Sequence, residues 1–490
     1  MRKADPASDL TSAGHSLGPP SRSGTIELVL PREDLLRFAR WPGLTRRGPS
    51  RKAALVWYDS HQRTLAAEGL TLVRDGRRWR LEGLHPFRNA DWPVAAPAPV
   101  RDEDASPPLD CAPAAAFAGR RRTYALPDAE LQLLYGTLRS LAGEHWTCRL
   151  SLTGPAETLS GLAASMAVGL NIAVPRATLA LEAITVAQGG PMPPRHLGSP
   201  AVRGDTMLTD GLSQVLNHLL DVLLYWTDRC RVATEAEAVH QARVATRRLR
   251  SALSIYKRAT ACPDLEALGA DLRECAARLG AARDWDVFLD GTGARLAAGT
   301  PDPRITVLLG AAGRRRNETY AELRAYLASP RFRALEVALV CAATLRPWER
   351  TADPTILQQE TASFAAQVLE RRMKRVRKAG RRLADLPVAA LHELRKDCKR
   401  LRYAAEFFAP GFAKPRAKAF IRRLAALQEE LGAVNDTAVA SALMRQLGRA
   451  GRGYGGGLVE GWANAAASPA RRQSGKAWKK FRAEPPFWDA

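Results

Sequence analysis

The chain has 490 residues, of which 46% are hydrophobic, and it carries a formal net charge of +23. Residues 211–490 account for +19 of that charge, with 48 Lys and Arg residues against 29 Asp and Glu residues. This length allows two or three domains with cores of their own, and a basic excess confined to one half indicates an anionic partner for that half.

The composition argues against several classes of protein. The seven cysteines are scattered and no two are spaced C-x-x-C, which excludes a zinc knuckle or dithiol motif and favours a reduced, cytoplasmic setting. No uncharged apolar run reaches the roughly 18–20 residues of a transmembrane helix, so we expect no membrane partner. Residues 1–24 are rich in Ser, Gly and Pro and lack an apolar segment, which predicts a disordered tail and not a secretory signal.

Residues 25–188 carry patterns that predict a β-rich domain. Residues 25–30 and 70–74 alternate apolar and other side chains, and Asp75-Gly76 predicts a hairpin turn before a further strand at 79–82. A stretch crowded with Pro and Ala at 89–119 predicts a loop. We expect another strand in the alternating run at 173–186.

The Gly- and Pro-rich segment 189–204 predicts a linker between this domain and a helical one at 205–490. Helical periodicity dominates from residue 205 onward, which predicts an α+β protein with an all-α C-terminal domain. The predicted helices are 212–231, 235–258, 265–279, 311–327, 332–345, 356–383, 388–408, 415–431, 436–447 and 474–482. That number is enough for two four-helix bundles.

The helical region contains an internal repeat. The pattern H-x-x-R-x-x-x-[RK]-R-L-R occurs at residues 240–250 and again at 392–402, a separation of 152. A Leu-Gly pair followed by Asp occurs at 279–284 and at 431–436, again 152 residues apart. Two motifs at one separation indicate a duplication, with halves at about 205–350 and 351–490.

The first motif places its basic side chains on one side of a helix. At 100° per residue, His240, Arg243, Arg247 and Arg250 lie within an arc of about 80°. The second motif repeats this with His392, Arg395, Lys399 and Arg402, and Lys396 lies at the edge. Neighbouring like charges destabilise a helix unless a counter-charge lies along them. The stripes are therefore either solvated surfaces or a polyanion site, and the duplication favours the polyanion site.

Other charged residues extend or support these stripes. A basic segment at 371–382 adds cations at helical spacing, among them Arg375 and Lys378. Asp284 and Asp436 each follow a Leu-Gly break, which predicts a helix start or loop corner where the carboxylate caps a helix or pairs with a motif arginine. Asp284 and Asp286 alone do not make a magnesium site.

The helical region resembles the CHAD domain, the conserved-histidine α-helical domain. The resemblance rests on both motif helices, the Leu-Gly-x-x-[RN]-Asp segments and residues 402–408, which begin Arg402-Tyr403. It implies two four-helix bundles related by pseudo-twofold symmetry, binding of inorganic polyphosphate, and a place on polyphosphate granules among granule proteins. The binding residues it implies are His240, Arg243, Arg247, Arg248, Arg250, His392, Arg395, Lys396, Lys399, Arg400 and Arg402. To these we add Arg375 and Lys378, with Asp284, Asp436 and Tyr403 in support.

The N-terminal region resembles a degenerate CYTH domain, the triphosphate-tunnel fold. The resemblance rests on Tyr-Asp-Ser at 58–60 and Gly-Leu-Thr-Leu at 69–72. Of the E-x-E-x-K signature only Glu27 remains, Val73 replaces an arginine, and Gly83-Leu84 replaces a lysine segment. Metal-dependent phosphate chemistry needs those carboxylates and cations. The departures imply that the chain is not an enzyme and has no catalytic residue, metal or cofactor.

Two alternatives to polyphosphate binding stay open. A CYTH-type triphosphate phosphohydrolase would be revealed by metal-dependent phosphate release. Non-specific nucleic-acid binding is permitted by the charge, although the stripes lack interleaved aromatic residues for base stacking. Helical bundles also permit a homodimer. We expect the protein in the cytoplasm, on polyphosphate granules.

Overall fold

The structure is a computed structural model that describes residues 23–84, 110–189, 200, 202–299 and 302–489. Within these ranges the side chains of residues 384, 388, 433–438 and 466–472 are not described. The fold is α+β, with an N-terminal antiparallel half-barrel sheet followed by a helical region. Most of the predicted tail and of the predicted linker, namely 1–22, 190–199 and 201, lies outside the described residues.

Seven antiparallel strands form the half-barrel in the order β1-β7-β6-β5-β2-β3-β4. The strands predicted at 25–30, 70–74 and 79–82 are present, and Asp75 pairs with Arg78 across the predicted turn. The strands are β1 (Ser23–Val29), β2 (Thr45–Ser60), β3 (Leu70–Asp75), β4 (Arg78–Gly83), β5 (Cys111–Leu126), β6 (Ala129–Ser140) and β7 (Gly143–Pro155).

Two predictions for this region are wrong. The segment predicted as a loop at 89–119 enters β5 at Cys111, because pairing with both β2 and β6 satisfies its backbone despite the Pro and Ala content. Residues 85–109 lie outside the described ranges. The strand predicted at 173–186 is mainly the helix Leu179–Gln188, which Thr178 caps by accepting a hydrogen bond from the Leu181 amide at 3.0 Å. Its alternating small and apolar residues pack on the sheet through one helical face.

Helices make up the rest of the described chain. Among the described residues, no helix is long and apolar enough to cross a membrane. A π-helical turn at Phe288–Gly293 joins α7 to α8. The helices are α1 (Leu35–Ala39), α2 (Thr64–Ala67), α3 (Ala156–Gly169), α4 (Leu179–Gln188), α5 (Leu208–Val232), α6 (Ala236–Thr260), α7 (Pro263–Val287), α8 (Ala294–Gly299), α9 (Pro303–Ala328), α10 (Pro330–Leu345), α11 (Pro354–Leu357), α12 (Thr361–Ala379), α13 (Val388–Phe408), α14 (Lys414–Gln446) and α15 (Tyr454–Arg482).

The duplication seen in the sequence extends to the helices. The starts of α5, α6, α7 and α9 recur 151–153 residues later as the starts of α12, α13, α14 and α15. The N-termini of α5 and α12 are joined by an antiparallel bridge between Met207 and Glu360. The Leu208 amide donates to the Gln359 carbonyl at 3.0 Å, and the Thr361 amide donates to the Thr206 carbonyl at 2.9 Å. Equivalent residues of the two halves therefore pair with each other.

One apolar core is shared by the half-barrel and the helices. Ile26 and Leu28 of β1 belong to the same buried cluster as Leu335 and Leu339 of α10. Ion pairs cross the same boundary. Arg176, in the connection between α3 and α4, lies 2.6 Å from Asp228 of α5 and 2.8 Å from Glu336 of α10. This contact fixes the half-barrel against α5 and α10.

Candidate functional site

The two motif helices bury the apolar faces that the sequence predicts. Ala242 and Leu249 of α6 and Leu394, Cys398 and Leu401 of α13 are fully buried. Burial of these faces turns the basic stripes away from the bundle cores. The helices α6 and α13 contact each other, so the two stripes meet.

Five cations gather where α6 and α13 meet. We call Arg243, Arg247, Arg395, Lys399 and Arg402 the crossing cluster. The pKa of Lys399 is lowered to about 8, first by burial and then by the charges of Arg395, Arg243, Arg247 and Arg402. The pKa of Arg247 is also lowered, first by burial and then by Arg243 and Arg402. The cluster therefore concentrates positive charge that the fold neutralises only in part.

Tyr403 supports two of these arginines. The guanidinium carbon of Arg247 lies 4.9 Å from the centre of the Tyr403 ring, and that of Arg402 lies 5.5 Å from it. Such cation–π contacts contribute about 0.5–2 kcal/mol. Glu406 is the one carboxylate ion-paired with the crossing cluster in the part of the chain that the structure describes, with Oε1 3.3 Å from the Arg402 Nε.

The arginines of the cluster keep unused donors. The Nε groups of Arg247, Arg395 and Arg402 are buried and make no hydrogen bond with any described residue. The contact of Arg402 with Glu406 is an ion pair whose geometry does not satisfy that donor. A buried N–H without an acceptor is costly, whereas an oxyanion would accept from several guanidinium donors together.

A glycine lies beneath one motif arginine in each half. A Cβ atom on Gly432 of α14 would lie 3.3 Å from Arg395 Nη2, and one on Gly280 of α7 would lie 3.9 Å from Arg243 Nε. The predicted helix starts at these Leu-Gly pairs are wrong, since both glycines lie inside continuous helices. Gly432 makes room for the guanidinium group of Arg395, and neither glycine breaks its helix.

The structure describes the side chain of one predicted supporting acid, Asp284, and not that of the other, Asp436. Asp284 is half-buried, its pKa is raised by burial, and the charge of Arg243 opposes that rise, which places the carboxyl near this arginine. The side chain of Asp436 lies outside the described residues. Asp286 accepts hydrogen bonds from Arg316 at 2.6 Å and from Tyr320 at 2.8 Å, a structural role. The described residues contain no group of three or more His, Cys, Asp or Glu side chains able to hold a metal.

The two motif histidines have different environments. His240 is half-buried, and its pKa is lowered first by burial and then by Arg283, with Arg247 and Arg243 adding to the effect. His392 is exposed and lies near Glu393. The structure therefore brings His240 to the edge of the crossing cluster, and it adds Arg283, which sequence reasoning missed.

A second basic surface flanks the crossing cluster. A groove of about 440 Å³ between α6, α12 and α13 is lined by six cations, which we call the α12 groove: Lys257, Arg258, Arg371, Arg372, Arg375 and Arg400. Arg372 is half-buried and donates to the Arg400 carbonyl at 2.5 Å. Burial, followed by the charges of Arg400, Arg371 and Arg375, lowers the pKa of Arg372 to about 10. Asp397 also lines the groove.

The α12 groove contains two predicted site residues, Arg375 and Arg400, whereas the predicted Lys378 is exposed and does not line it. Sequence reasoning missed Lys257, Arg258 and Arg372. Arg258 follows His240 by 18 residues, which is five helical turns, so its place on the stripe was available from periodicity. The meeting of α12 with that stripe depends on tertiary packing.

Three further predicted residues lie outside both the crossing cluster and the α12 groove. Arg250 is exposed near Arg273, in a second groove of about 380 Å³ between α6 and α7. Lys396 is exposed and lies 2.8 Å from Glu393. Arg248 is half-buried on α6.

Part of the helical region is similar to known proteins. Residues 214–445 match the family model of the CHAD domain. Two curated relatives, uncharacterized proteins from two strains of Mycobacterium tuberculosis, are 31% identical to this chain over 206 residues. That alignment covers 40% of this chain and 39% of each relative. The chain therefore spans about two-fifths of the length of the curated relatives it matches.

Two solved structures are similar to part of this chain. The crystal structure of the CHAD domain from the plant Ricinus communis is 28% identical, covers 61% of this chain and 94% of its own, and superimposes with a TM-score of 0.47. PptA from Streptomyces chartreusis is 17% identical, covers 56% of this chain and 100% of its own, and has a TM-score of 0.42.

Proposed function

We propose, from the premise that residues 214–445 are a CHAD domain, that this chain binds inorganic polyphosphate across the crossing cluster and the α12 groove. The CHAD domain is a family linked to polyphosphate binding. The observation that carries the proposal is the crossing cluster. It brings together five cations from two helices, and among the described residues Glu406 is the one carboxylate ion-paired with it.

The electrostatics of the cluster favour a ligand with many negative charges. The lowered pKa values of Lys399 and Arg247 mean that the folded chain disfavours its own positive charge at this place. A phosphate oxygen near these side chains would reverse that effect. Arginine forks suit phosphate oxygens, and buried Nε donors add hydrogen bonds that are stronger because both partners are charged.

The arrangement also favours a long ligand over a compact one. The α12 groove lies on the same two helices as the crossing cluster, since Arg400 of the groove follows Lys399 of the cluster directly in α13. A polymer with phosphates along its whole length can occupy both places together. A single orthophosphate or triphosphate can neutralise only part of this surface.

We infer that a pseudo-twofold axis relates the two halves and that it passes near the Met207–Glu360 bridge. Reciprocal hydrogen bonds between equivalent residues support this inference, as does the common separation of the helix starts. A place on cytoplasmic polyphosphate granules follows from the proposed ligand and belongs to the same proposal.

Binding of purified chain to long-chain polyphosphate, measured at several salt concentrations with duplex DNA as competitor, tests the proposal. The variant Arg243→Gln, Arg247→Gln, Lys399→Gln removes three charges from the cluster. Its matched control, Lys374→Gln, Arg377→Gln, Arg416→Gln, removes three exposed charges elsewhere. We expect tight, salt-sensitive binding that DNA does not displace and that only the cluster variant loses.

Two results of this experiment would overturn the proposal. If both triple variants bind polyphosphate alike, the cluster is a structural surface. If duplex DNA competes as well as polyphosphate, the chain is a non-specific polyanion binder, and the nucleic-acid alternative is favoured.

We also propose that the half-barrel does not hydrolyse triphosphate. Glu27 lies 3.0 Å from Arg149 Nη1, and Arg149 also lies 2.7 Å from Glu182. A carboxylate paired with a buried arginine is a poor ligand for a catalytic divalent metal. Phosphate release from triphosphate with Mg²⁺ or Mn²⁺ would contradict this proposal if it exceeded the release by a Glu27→Gln variant.

A further inference from the structure

The groove of about 380 Å³ between α6 and α7, which we call the α7 groove, is also basic. Its cations are Arg250 and Lys257 of α6 and Arg273 of α7. Glu266 is the one carboxylate among the described residues that line it, and its Oε1 lies 3.2 Å from Lys257 Nζ. Both side chains of this ion pair are more than half exposed, and such a pair holds its partners weakly. Lys257 can therefore turn to another anion.

One line of cations on α6 leads from the crossing cluster to the α7 groove. Arg243 of the cluster precedes Arg250 by seven residues, and Arg250 precedes Lys257 by seven. Seven residues are close to two helical turns, so these three side chains lie nearly in line over about 21 Å. Their neighbours on α7 follow at the same interval in the reverse order, namely Gly280, Arg273 and Glu266.

The α7 groove and the α12 groove share two lining residues, Ser254 and Lys257. The two grooves therefore flank the same exposed ridge of α6. At this ridge they differ in charge, because Glu266 lies on the α7 side and Arg258 and Arg371 lie on the α12 side. A polyanion that reaches the ridge along the α7 groove is repelled by the first side and attracted by the second.

Two positions of α7 differ from their counterparts in α14 in ways that open this groove and charge it. The residues 152 positions after Gly269 and Arg273 are Ile421 and Ala425. Ile421 packs against the main core, whereas a Cβ atom on Gly269 would lie at an ordinary 3.9 Å from Leu253. The first repeat thus has open space where the second has a branched side chain, and an arginine where the second has alanine.

We propose that the α7 groove is a second binding segment for polyphosphate, and that one long chain lies in both grooves and crosses α6 over Ser254 and Lys257. This inference rests on the proposed function and adds a preference for long chains. The crossing cluster alone can hold a short chain such as tripolyphosphate. A long chain also gains the α7 groove, where Arg250 and Arg273 bind its phosphate oxygens through their guanidinium groups.

A substitution without change of charge tests the shape of the groove. Gly269→Ile places in the α7 groove the side chain that the second repeat has at the matched position. We expect it to lower the affinity for long-chain polyphosphate by at least about tenfold, because a second binding segment multiplies the affinity of the first. The affinity for tripolyphosphate should not change.

Gly313→Ile is the matched control. Gly313 also lies inside a helix, and no described atom lies within 4 Å of the Cβ that it would carry. We expect this variant to bind long and short chains as the parent does. Circular dichroism shows whether each glycine variant is folded.

A pair of substitutions tests the charge of the groove. Arg250→Gln with Arg273→Gln removes two phosphate contacts, which should reduce the slope of log affinity against log salt for long chains by about one to two units. Lys374→Gln with Arg377→Gln removes two exposed cations of α12 and should change that slope much less.

The inference is overturned if Gly269→Ile binds long chains as tightly as the parent, or if it weakens long and short chains alike. Equal salt slopes for the two charge pairs would also overturn it, and they decide the matter if Gly269→Ile does not fold. Failure of the proposed function looks different, because the parent chain itself would then show no preference for polyphosphate over DNA.

Discussion

Lys399 should make polyphosphate binding depend on pH. Its pKa is about 8 in the ligand-free chain, and a bound polyanion would raise it, because the anion stabilises the ammonium. Below about pH 8 the side chain is already charged and adds no pH dependence. Above that, binding must take up a proton, so affinity should fall by up to about tenfold per pH unit. Affinities measured between pH 7 and pH 10 check this.

Lys399→Arg supplies the control for that pH dependence, because an arginine stays charged throughout the range. A slope that persists in Lys399→Arg would assign the effect to another group. The stability of the ligand-free fold should change with pH in the opposite direction to the affinity. The folded chain resists protonation at Lys399, so this residue should make the fold more stable as pH rises from about 8 toward the ordinary pKa of 10.5.

The glycines beneath Arg243 and Arg395 offer a matched pair of substitutions. Gly→Ala inside a helix stabilises by up to about 1 kcal/mol. Gly280→Ala should gain this stability and keep its affinity for polyphosphate, since its Cβ would lie at an ordinary 3.9 Å from Arg243. Gly432→Ala should bind several-fold more weakly, because its Cβ at 3.3 Å displaces Arg395. Thermal unfolding and binding titrations of both variants test this, and equal affinities would contradict it.

Tyr403 should contribute to polyphosphate affinity through the face of its ring and not through its hydroxyl. Tyr403→Phe keeps the aromatic face under Arg247 and Arg402, so we expect polyphosphate affinity close to that of the parent chain. Tyr403→Leu loses that face, and the guanidinium groups become less well positioned. We expect a loss of affinity of a few-fold, in line with about 1 kcal/mol of cation–π energy. Similar affinities for the Phe and Leu variants would argue against this role.

At the scale of single residues, the sequence shows which side chains share a helix face and little about what faces them. Periodicity gives His240 and His392 equivalent positions, yet one is half-buried beside Arg283 and the other is exposed. The difference comes from neighbouring helices, whose approach a helical wheel does not contain. The Leu-Gly pairs are a second case, because a glycine under an arginine looks in sequence like a glycine that ends a helix.

At the scale of elements, long periodic helices were predictable and the half-barrel was only partly so. The helix predicted at 388–408 has the bounds of α13, whereas the two helices predicted at 415–431 and 436–447 are one helix, α14. No prediction covered β6 or β7. Strand β7 buries Cys148, Leu150 and Leu152 toward the helices and carries polar residues between them, a pattern that is clear only when both faces of the sheet are known.

The contribution of the α12 groove can be tested by comparing two pairs of cations on α12. Arg371→Gln with Arg375→Gln removes two cations that line the groove, whereas Lys374→Gln with Arg377→Gln removes two exposed cations of the same helix. We expect the groove pair to lower polyphosphate affinity by about tenfold and to reduce the slope of log affinity against log salt. The exposed pair should change both much less. Equal changes would mean that net charge, and not the groove, attracts the ligand.

At the scale of the whole molecule, the half-barrel and the helices should unfold together. Glu336 is buried and accepts hydrogen bonds from Arg176 at 2.8 Å and from Arg231 at 3.3 Å, where the sheet meets α5 and α10. Glu336→Ala leaves both arginines without this partner and should cost about 2 kcal/mol or more. We expect the unfolding midpoints in denaturant, measured by circular dichroism of the helices and by tryptophan fluorescence, to shift by the same amount.

Glu130→Ala is the control, because its ion pair with Arg47 at 3.4 Å is exposed on both sides. Removal of such a pair should change stability by less than about 0.5 kcal/mol. Separate transitions for the two signals in the parent chain would contradict a shared core.

The bridge between Met207 and Glu360 joins the starts of α5 and α12, two helices at equivalent positions of the sequence repeat. Counted from that bridge, Arg371, Arg372 and Arg375 of α12 correspond to His218, Leu219 and Val222 of α5. A homodimer would have to carry the same residues in both copies. Two repeats within one chain are free of that constraint, and here α5 packs on α10 while the matching positions of α12 are arginines. The two helices that the bridge joins therefore differ in charge at matched positions, and the arginines of α12 give the second repeat a groove whose counterpart positions in α5 carry no arginine.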